Sequence, residues 1–221
     1  MKRSIILAAF CFLSWTALAT ASDSGRLAIA GRSGTLGLGG DVMVNVLSDV
    51  NVRLGVGYFN LDFDGEVEDV EYDVDLDLLT FPLLVDWYPF ENKFHVSAGV
   101  ILNQTEAGLA GRYDGTLEIG DETYTAEEIG VLSGDLSFRD VVSYVGIGWG
   151  NAFCKARRWG FMTDLGVAFI GSPRVALSAT GTLAGNPEFR ANLAKEEDDL
   201  QDEADKFKIY PVLSANLYFR F

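Results

Sequence analysis

The chain has 221 residues, a length that suits one domain of ordinary size. Its formal net charge is -15; leaving out Lys2 and Arg3 at the very start gives -17. So acidic a chain argues against a nucleic-acid partner, which needs a basic surface. Yet hydrophobic residues make up 48% of it, with 24 glycines, and this apolar surface has to be placed somewhere.

Lys2 and Arg3 precede an apolar stretch from Ile5 to Leu18, and Ala19-Thr20-Ala21 follows. A basic start, a short apolar core and an A-x-A site describe a secretory signal peptide over 1–21, with one domain over 22–221. Cleavage is expected after Ala21, with Ala19 as the alternative. The stretch is short for a membrane helix. No later stretch approaches 18 uninterrupted apolar residues, which disfavours a helical membrane protein. Without the leader and its Cys11, the single thiol is Cys154, which excludes an intramolecular disulfide and a cysteine-based zinc cluster.

Beyond the leader the recurring unit is about ten residues of strict alternation. Leu27 and Ile29 begin it and fold back at Gly31-Arg32-Ser33-Gly34. Residues 35–47 set Leu36, Leu38, Val42, Val44 and Val46 against Gly37, Gly39, Asp41 and Asn45. After the turn at Ser48-Asp49-Val50-Asn51, Val52, Leu54, Val56 and Tyr58 oppose Arg53, Gly55 and Gly57. Further strands are expected at 74–88, 94–104, 129–138, 141–151, 159–170, 174–183 and in the final segment. That last one sets Leu213, Ala215, Leu217, Phe219 and Phe221 against Ser214, Asn216, Tyr218 and Arg220. Period two gives each strand one apolar face and one polar or small face. A glycine-rich second face with scattered charges fits the crowded lumen of a narrow barrel whose apolar face meets lipid.

The expectation is therefore an all-β, antiparallel up-and-down transmembrane β-barrel of ten strands, with eight as the alternative count. Tyr58, Trp149, Trp159 and Phe161 would form one aromatic girdle. Trp87, Tyr88, Phe90, Phe169, Phe219 and Phe221 would form the other. The competing fold is a secreted β-sandwich or lipocalin-like barrel, in which the apolar faces would be the core.

With its leader, alternating strands, short turns and the ending Leu217-Tyr218-Phe219-Arg220-Phe221, the chain resembles small bacterial outer-membrane barrels of the OmpA-barrel and OmpW type. The resemblance implies an outer-membrane location after export through the inner membrane. It also implies a last strand running toward the periplasm. Leu217, Phe219 and Phe221 would then be the signal read by the barrel-assembly machinery. Outer-membrane lipid and lipopolysaccharide would be the surroundings.

Two segments break the pattern. Asp62 to Asp77 carries nine acidic residues and no basic one. Asn186 to Phe207 reads as a helix, with Asn186 as N-cap, Pro187 at the first helical position and Glu188 at the positive end. Both are expected outside the cell. The helix would cap the barrel mouth, or contact a partner, through a stripe containing Phe189, Leu193, Leu200, Ala204 and Phe207. A third stretch, Thr105 to Ile129, would extend the wall above the membrane.

Asp41, Arg53, Asp86, His95, Asp164 and Arg220 all fall on lumenal faces. Unpaired charges in a narrow dry lumen are costly, so a paired polar network is expected there. The structural reading is a plug and the functional one is a gate, and small barrels favour the plug because side chains fill them. Lys155, Arg157 and Arg158 would face lipopolysaccharide phosphates, or serve only to solubilise a loop. His95-Val96-Ser97 resembles the His-x-Ser pair of outer-membrane lipid A deacylases, but no acidic third member can be placed, and a plain lumenal histidine is preferred. Asp62-Phe63-Asp64-Gly65-Glu66 offers oxygens suited to Ca²⁺ or Mg²⁺, yet lacks the spacing of an EF-hand loop, and a solvated acidic loop is preferred. No metal, cofactor or catalytic residue is expected. The leading expectation is a non-enzymatic envelope or surface-interaction barrel with acidic outer loops. The alternatives are a narrow channel for small or apolar solutes, narrowed further by filling Gly146 or Gly148, and a lipid-modifying enzyme.

Overall fold

The computed structural model describes residues 26–67, 70–90, 92–113, 115–153 and 158–221. The expected leader lies outside them, as do Cys154, Lys155 and Arg157. In chain order come β1 (Leu27–Gly34), β2 (Leu38–Leu47), β3 (Val50–Val67), β4 (Val70–Trp87), β5 (Phe94–Asn103), β6 (Glu106–Tyr113), β7 (Thr116–Ile119) and β8 (Glu122–Thr125). Helix α1 (Ala126–Ile129), β9 (Val131–Ser137), β10 (Val141–Trp149), β11 (Trp159–Phe169), β12 (Arg174–Ala179), helix α2 (Pro187–Ala204) and β13 (Tyr210–Arg220) complete the chain.

Eight of these strands close a barrel. β1 to β5 pair in sequence, β5 pairs with β10, β10 with β11, β11 with β13, and β13 returns to β1. Every pairing is antiparallel. The expected count of ten is thus corrected to eight. The cause is the length of β4. Its C-terminal half pairs with β5, from Thr80↔Asn103 to Trp87↔Val96. Its N-terminal half rises past the end of β5 and pairs with β6 instead, from Val70↔Tyr113 to Asp77↔Glu106. β9 joins β6, and β12 joins β9. Those two strands, expected in the wall, extend the sheet beyond the barrel mouth. Alternation marks a strand but does not say which neighbour it will take.

Removing two wall strands reverses the expected directions of β10 and β11. Trp149 pairs with Phe94, and Trp159 with Phe219, so both lie at the rim that holds the two ends of the barrel sheet. The aromatic groups are redistributed accordingly. Trp87, Phe90, Trp149, Trp159, Phe161, Phe219 and Phe221 gather at the termini's rim. Tyr58, Phe59 and Phe169 lie at the far rim. Arg158 also sits at the termini's rim, where its carbonyl accepts from Arg220 N–H. That corrects its expected place on the opposite face.

β1 is longer than expected, continuing to Gly34 before the turn at 35–37. Gly37 closes that turn at φ 92°, with its α-carbon packed on the Tyr58 backbone. A left-handed backbone with no room for a Cβ requires glycine.

The acidic segment 62–77 is not a loop. It is the upper part of the β3–β4 hairpin, with Phe59↔Leu78, Leu61↔Leu76 and Phe63↔Val74 in register, alternating with Asn60↔Asp77, Asp62↔Asp75 and Asp64↔Asp73. Carboxylates directly opposite one another destabilise a sheet. Desolvation, then the facing charge of Asp62, raises the Asp75 carboxyl above its usual range. A carboxyl pKa raised by folding contributes stability that is complete below the unfolded value and lost as pH rises through the folded one. Amide exchange in the hairpin is therefore expected to slow as pH falls through the carboxylate range, after correction for intrinsic rates. Asp62→Asn should reproduce that slowing at neutral pH. Faster exchange in the variant would show that the rung does not repel.

Above the rim, Ile119, Tyr124, Ile129 and Phe189 form a separate small core, with the Tyr124 and Phe189 rings edge to face at 4.9 Å. Helix α2 begins as expected, with Asn186 Oδ1 accepting from the N–H groups of Glu188 and Phe189. It does not cap the barrel mouth. It lies along the free edge of β12, where Val175 N–H donates to Gln201 Oε1 (3.0 Å) and Leu177 N–H to Glu197 Oε2 (2.9 Å). Side chains thus occupy donors that an open strand edge would offer to another chain.

Candidate functional site

The barrel interior is built in layers. Ala28, Ala30, Met43, Ala152, Met162 and Tyr218 pack near the termini's rim. Leu36, Leu84, Ile101, Val142, Tyr144, Ala168 and Val212 pack toward the far mouth. Between them lies a band of buried charge.

Arg53, projecting from β3, is its centre and is 2% exposed. Its guanidinium donates twice to Asp164, at 2.8 Å to Oδ2 and 2.9 Å to Oδ1, and once to Asp86 Oδ1 at 2.9 Å. Asp164 also accepts from Ser214 Oγ and Asn216 Nδ2, both at 3.0 Å, and its Oδ1 lies 2.9 Å from His95 Nε2. Ser97 Oγ donates to Asp86 Oδ1 at 2.6 Å. A second pair, Arg32 Nη1 on Asp41 Oδ1 at 2.9 Å, stands beside it. Charge-assisted, forked contacts of this kind are the strong class of hydrogen bond.

Strand register explains how distant residues meet. His95 on β5 and Asp164 on β11 both pair with Gly148 of the intervening β10. A Cβ on Gly148 would lie 2.3 Å from His95 Nε2, so the missing side chain lets His95 reach across one strand to Asp164. Gly55, opposite Asp41, leaves the same kind of room; its Cβ would fall 2.0 Å from Asp41 Oδ1. The lumenal glycines are thus spaces already filled by neighbours' side chains. Gly146 and Gly148 face Tyr144 and His95 rather than an open bore.

Of the six residues expected in a lumenal network, Asp86, Arg53, His95 and Asp164 form one cluster, and Asp41 forms a separate buried pair with Arg32 beside it. Arg220 stands apart at the termini's rim, half-buried. Arg32, expected in a turn, lies instead in the longer β1, which turns it inward. Ser214 and Asn216 carried a signal in their place on the polar face of the last strand. His95 and Ser97 do not form a nucleophile–base pair, because Ser97 donates to Asp86 while His95 meets Asp164. Ligand atoms of Asp86, His95 and Asp164 lie within 4.8 Å of one another. The guanidinium of Arg53 already takes a cation's place among them, so this donor set does not fit a metal. Leu217, Phe219 and Phe221 point outward along β13, with the last two rings edge to face at 5.4 Å.

The band is sealed. Between Arg32, Arg53, Asp164, Ser214 and the apolar layer above them, the remaining gap is about 10 Å³, room for one water at most. A closed eight-stranded antiparallel barrel with a filled charged centre and a sheet extension at one mouth can be compared with solved structures. The barrel resembles CarO. The crystal structure of Acinetobacter baumannii CarO2 matches with a TM-score of 0.60 at 22% identity, over 88% of this chain and 98% of that one. The crystal structure of Acinetobacter baumannii CarO matches with a TM-score of 0.55 at 21% identity, over 89% and 98%. Likeness at this identity establishes a CarO-like fold and nothing about activity. No protein-family model matches the chain, and no curated protein matches it.

Proposed function

We propose that this chain is a non-enzymatic outer-membrane protein that spans the membrane with eight strands and displays an acidic sheet-and-helix extension at the cell surface. The observation that carries the reading is the barrel's inversion. Ile29, Leu38, Val56, Leu83, Val85, Ile147, Leu165, Leu213 and Leu217 all face outward and are exposed, while Arg53, Asp86, His95 and Asp164 are buried within. A water-soluble barrel has the opposite arrangement; a lipid-embedded one has this. The aromatic residues at both rims support it, since such rings favour the headgroup zone.

By the resemblance noted above, the termini's rim faces the periplasm and the extension faces outward. Leu217, Phe219 and Phe221 would be read by the assembly machinery during insertion. The extension, with carboxylates along β3, β4 and α2, is the contact surface of an envelope or surface-interaction role. The sealed band disfavours the channel reading, because conduction would require breaking the contacts of Arg53.

Expressed in a Gram-negative host, the protein is expected in the outer-membrane fraction, migrating differently before and after boiling. In planar bilayers it should show no steady conductance. Recovery as a soluble periplasmic protein would defeat the membrane reading; steady conductance of the unmodified protein would defeat the sealed plug.

A further inference from the structure

The lumen is not filled to its far end. Where the barrel mouth meets the base of the extension lies a chamber of about 170 Å³. Leu36, Ile101, Val142 and Ala168 line it from the barrel, and Leu76 and Phe138 from the segments above. Leu36 and Ile101 also roof the 10 Å³ gap over the charge cluster, so the chamber ends blind.

Its few polar groups are turned away from any guest. Thr80 Oγ1 donates to Leu36 O at 3.0 Å, and Tyr210 OH to Thr35 O at 2.9 Å. Thr105 Oγ1 donates to Asn103 Oδ1 at 2.7 Å, and Asn103 Nδ2 to Arg139 O at 3.4 Å. No charged side chain lines the wall. A carbonyl or anion would find no unspent hydroxyl donor, and a cation no countercharge. Water needs two to four polar partners, so it is a poor occupant. The chamber opens at its outer end, so water that enters it meets an apolar wall, and a hydrocarbon that displaces that water gains burial and dispersion contacts along the lining.

We propose that this chamber is a binding site for a small neutral hydrocarbon, either a single aromatic ring or a short alkyl group. The size is suitable, since cavities of about 150 Å³ lined by Leu, Ile and Phe admit benzene. This is a blind receptor pocket rather than a conduit. It is independent of the membrane assignment, because its walls come from the lumen and the base of the extension and not from the outward apolar face.

The isoleucines supply both probe and control. Ile101 and Ile170 line the chamber, while Ile29 and Ile147 face outward. In protein carrying labelled isoleucine methyls, held in nanodiscs, benzene is expected to shift the Ile101 and Ile170 signals saturably. Ile29 and Ile147 should drift linearly as benzene partitions into the lipid. Ala168→Leu, which fills the chamber, should weaken the saturable response at least tenfold. Should that variant fail to fold, Leu78→Trp tests the same space from the extension side. If Ile101 and Ile170 merely follow the outward methyls, or if the filled variants saturate like the parent, the proposal is overturned. Neither result would alter the fractionation outcome that tests membrane insertion.

Discussion

Arg53→Ala is expected to lower stability by about 3–5 kcal/mol, the usual loss when one partner of a buried ion pair is removed. The variant leaves Asp86 and Asp164 inside a sealed layer without the guanidinium that satisfies both. The cost is the uncompensated burial of the carboxylates, so it should be recovered when they are removed too. Combining Arg53→Met with Asp86→Leu and Asp164→Leu is expected to restore most of the loss, since well-packed apolar replacements of buried ion pairs are often neutral. Urea unfolding from lipid or detergent would measure both. A loss below about 1 kcal/mol for Arg53→Ala, the range of solvent-exposed pairs, would mean that water reaches the cluster and that the plug is open.

Leu165→Arg should cost about 2–4 kcal/mol when the protein is folded into lipid vesicles, as basic residues do at the midplane of a membrane barrel. Leu165 is 58% exposed, halfway along β11, between Ile147 of β10 and Leu213 of β13. The same change at Leu38, at the far rim, should cost only about 0–1 kcal/mol. This depth gradient is the discriminating result. On a protein surrounded by water, arginine at either exposed position would change stability by roughly 0.5 kcal/mol or less. Equal and small effects at both sites would return the apolar outer face to an unexplained surface and remove the basis for a membrane role.

The lumenal residues were legible because register slips are forbidden where faces differ. Arg53, Asp86, His95 and Asp164 each sit at the parity opposite to their apolar neighbours, which sets them inside any barrel built from those strands. The cap of α2 was equally plain, because Asn186-Pro187-Glu188 acts within one turn of chain. Pairing was not legible. Residues 131–137 and 174–179 alternate as well as any wall strand, yet above the mouth the first pairs with β6 and the second with the first. The rim of Arg158, Trp149 and Trp159 depends on that pairing, since each wall strand added or removed reverses the direction of those beyond it.

The sequence by itself determined strand character, the apolar and polar faces, and the charge buried between them, because these depend on alternation and composition along the chain. Only the tertiary structure decided that eight strands close, that Gly148 lets His95 reach Asp164, that Arg32 turns inward, and that a chamber remains beneath Phe138. Each of these depends on which strand lies beside which and at what height, and that follows from long-range pairing energies distributed over the whole sheet.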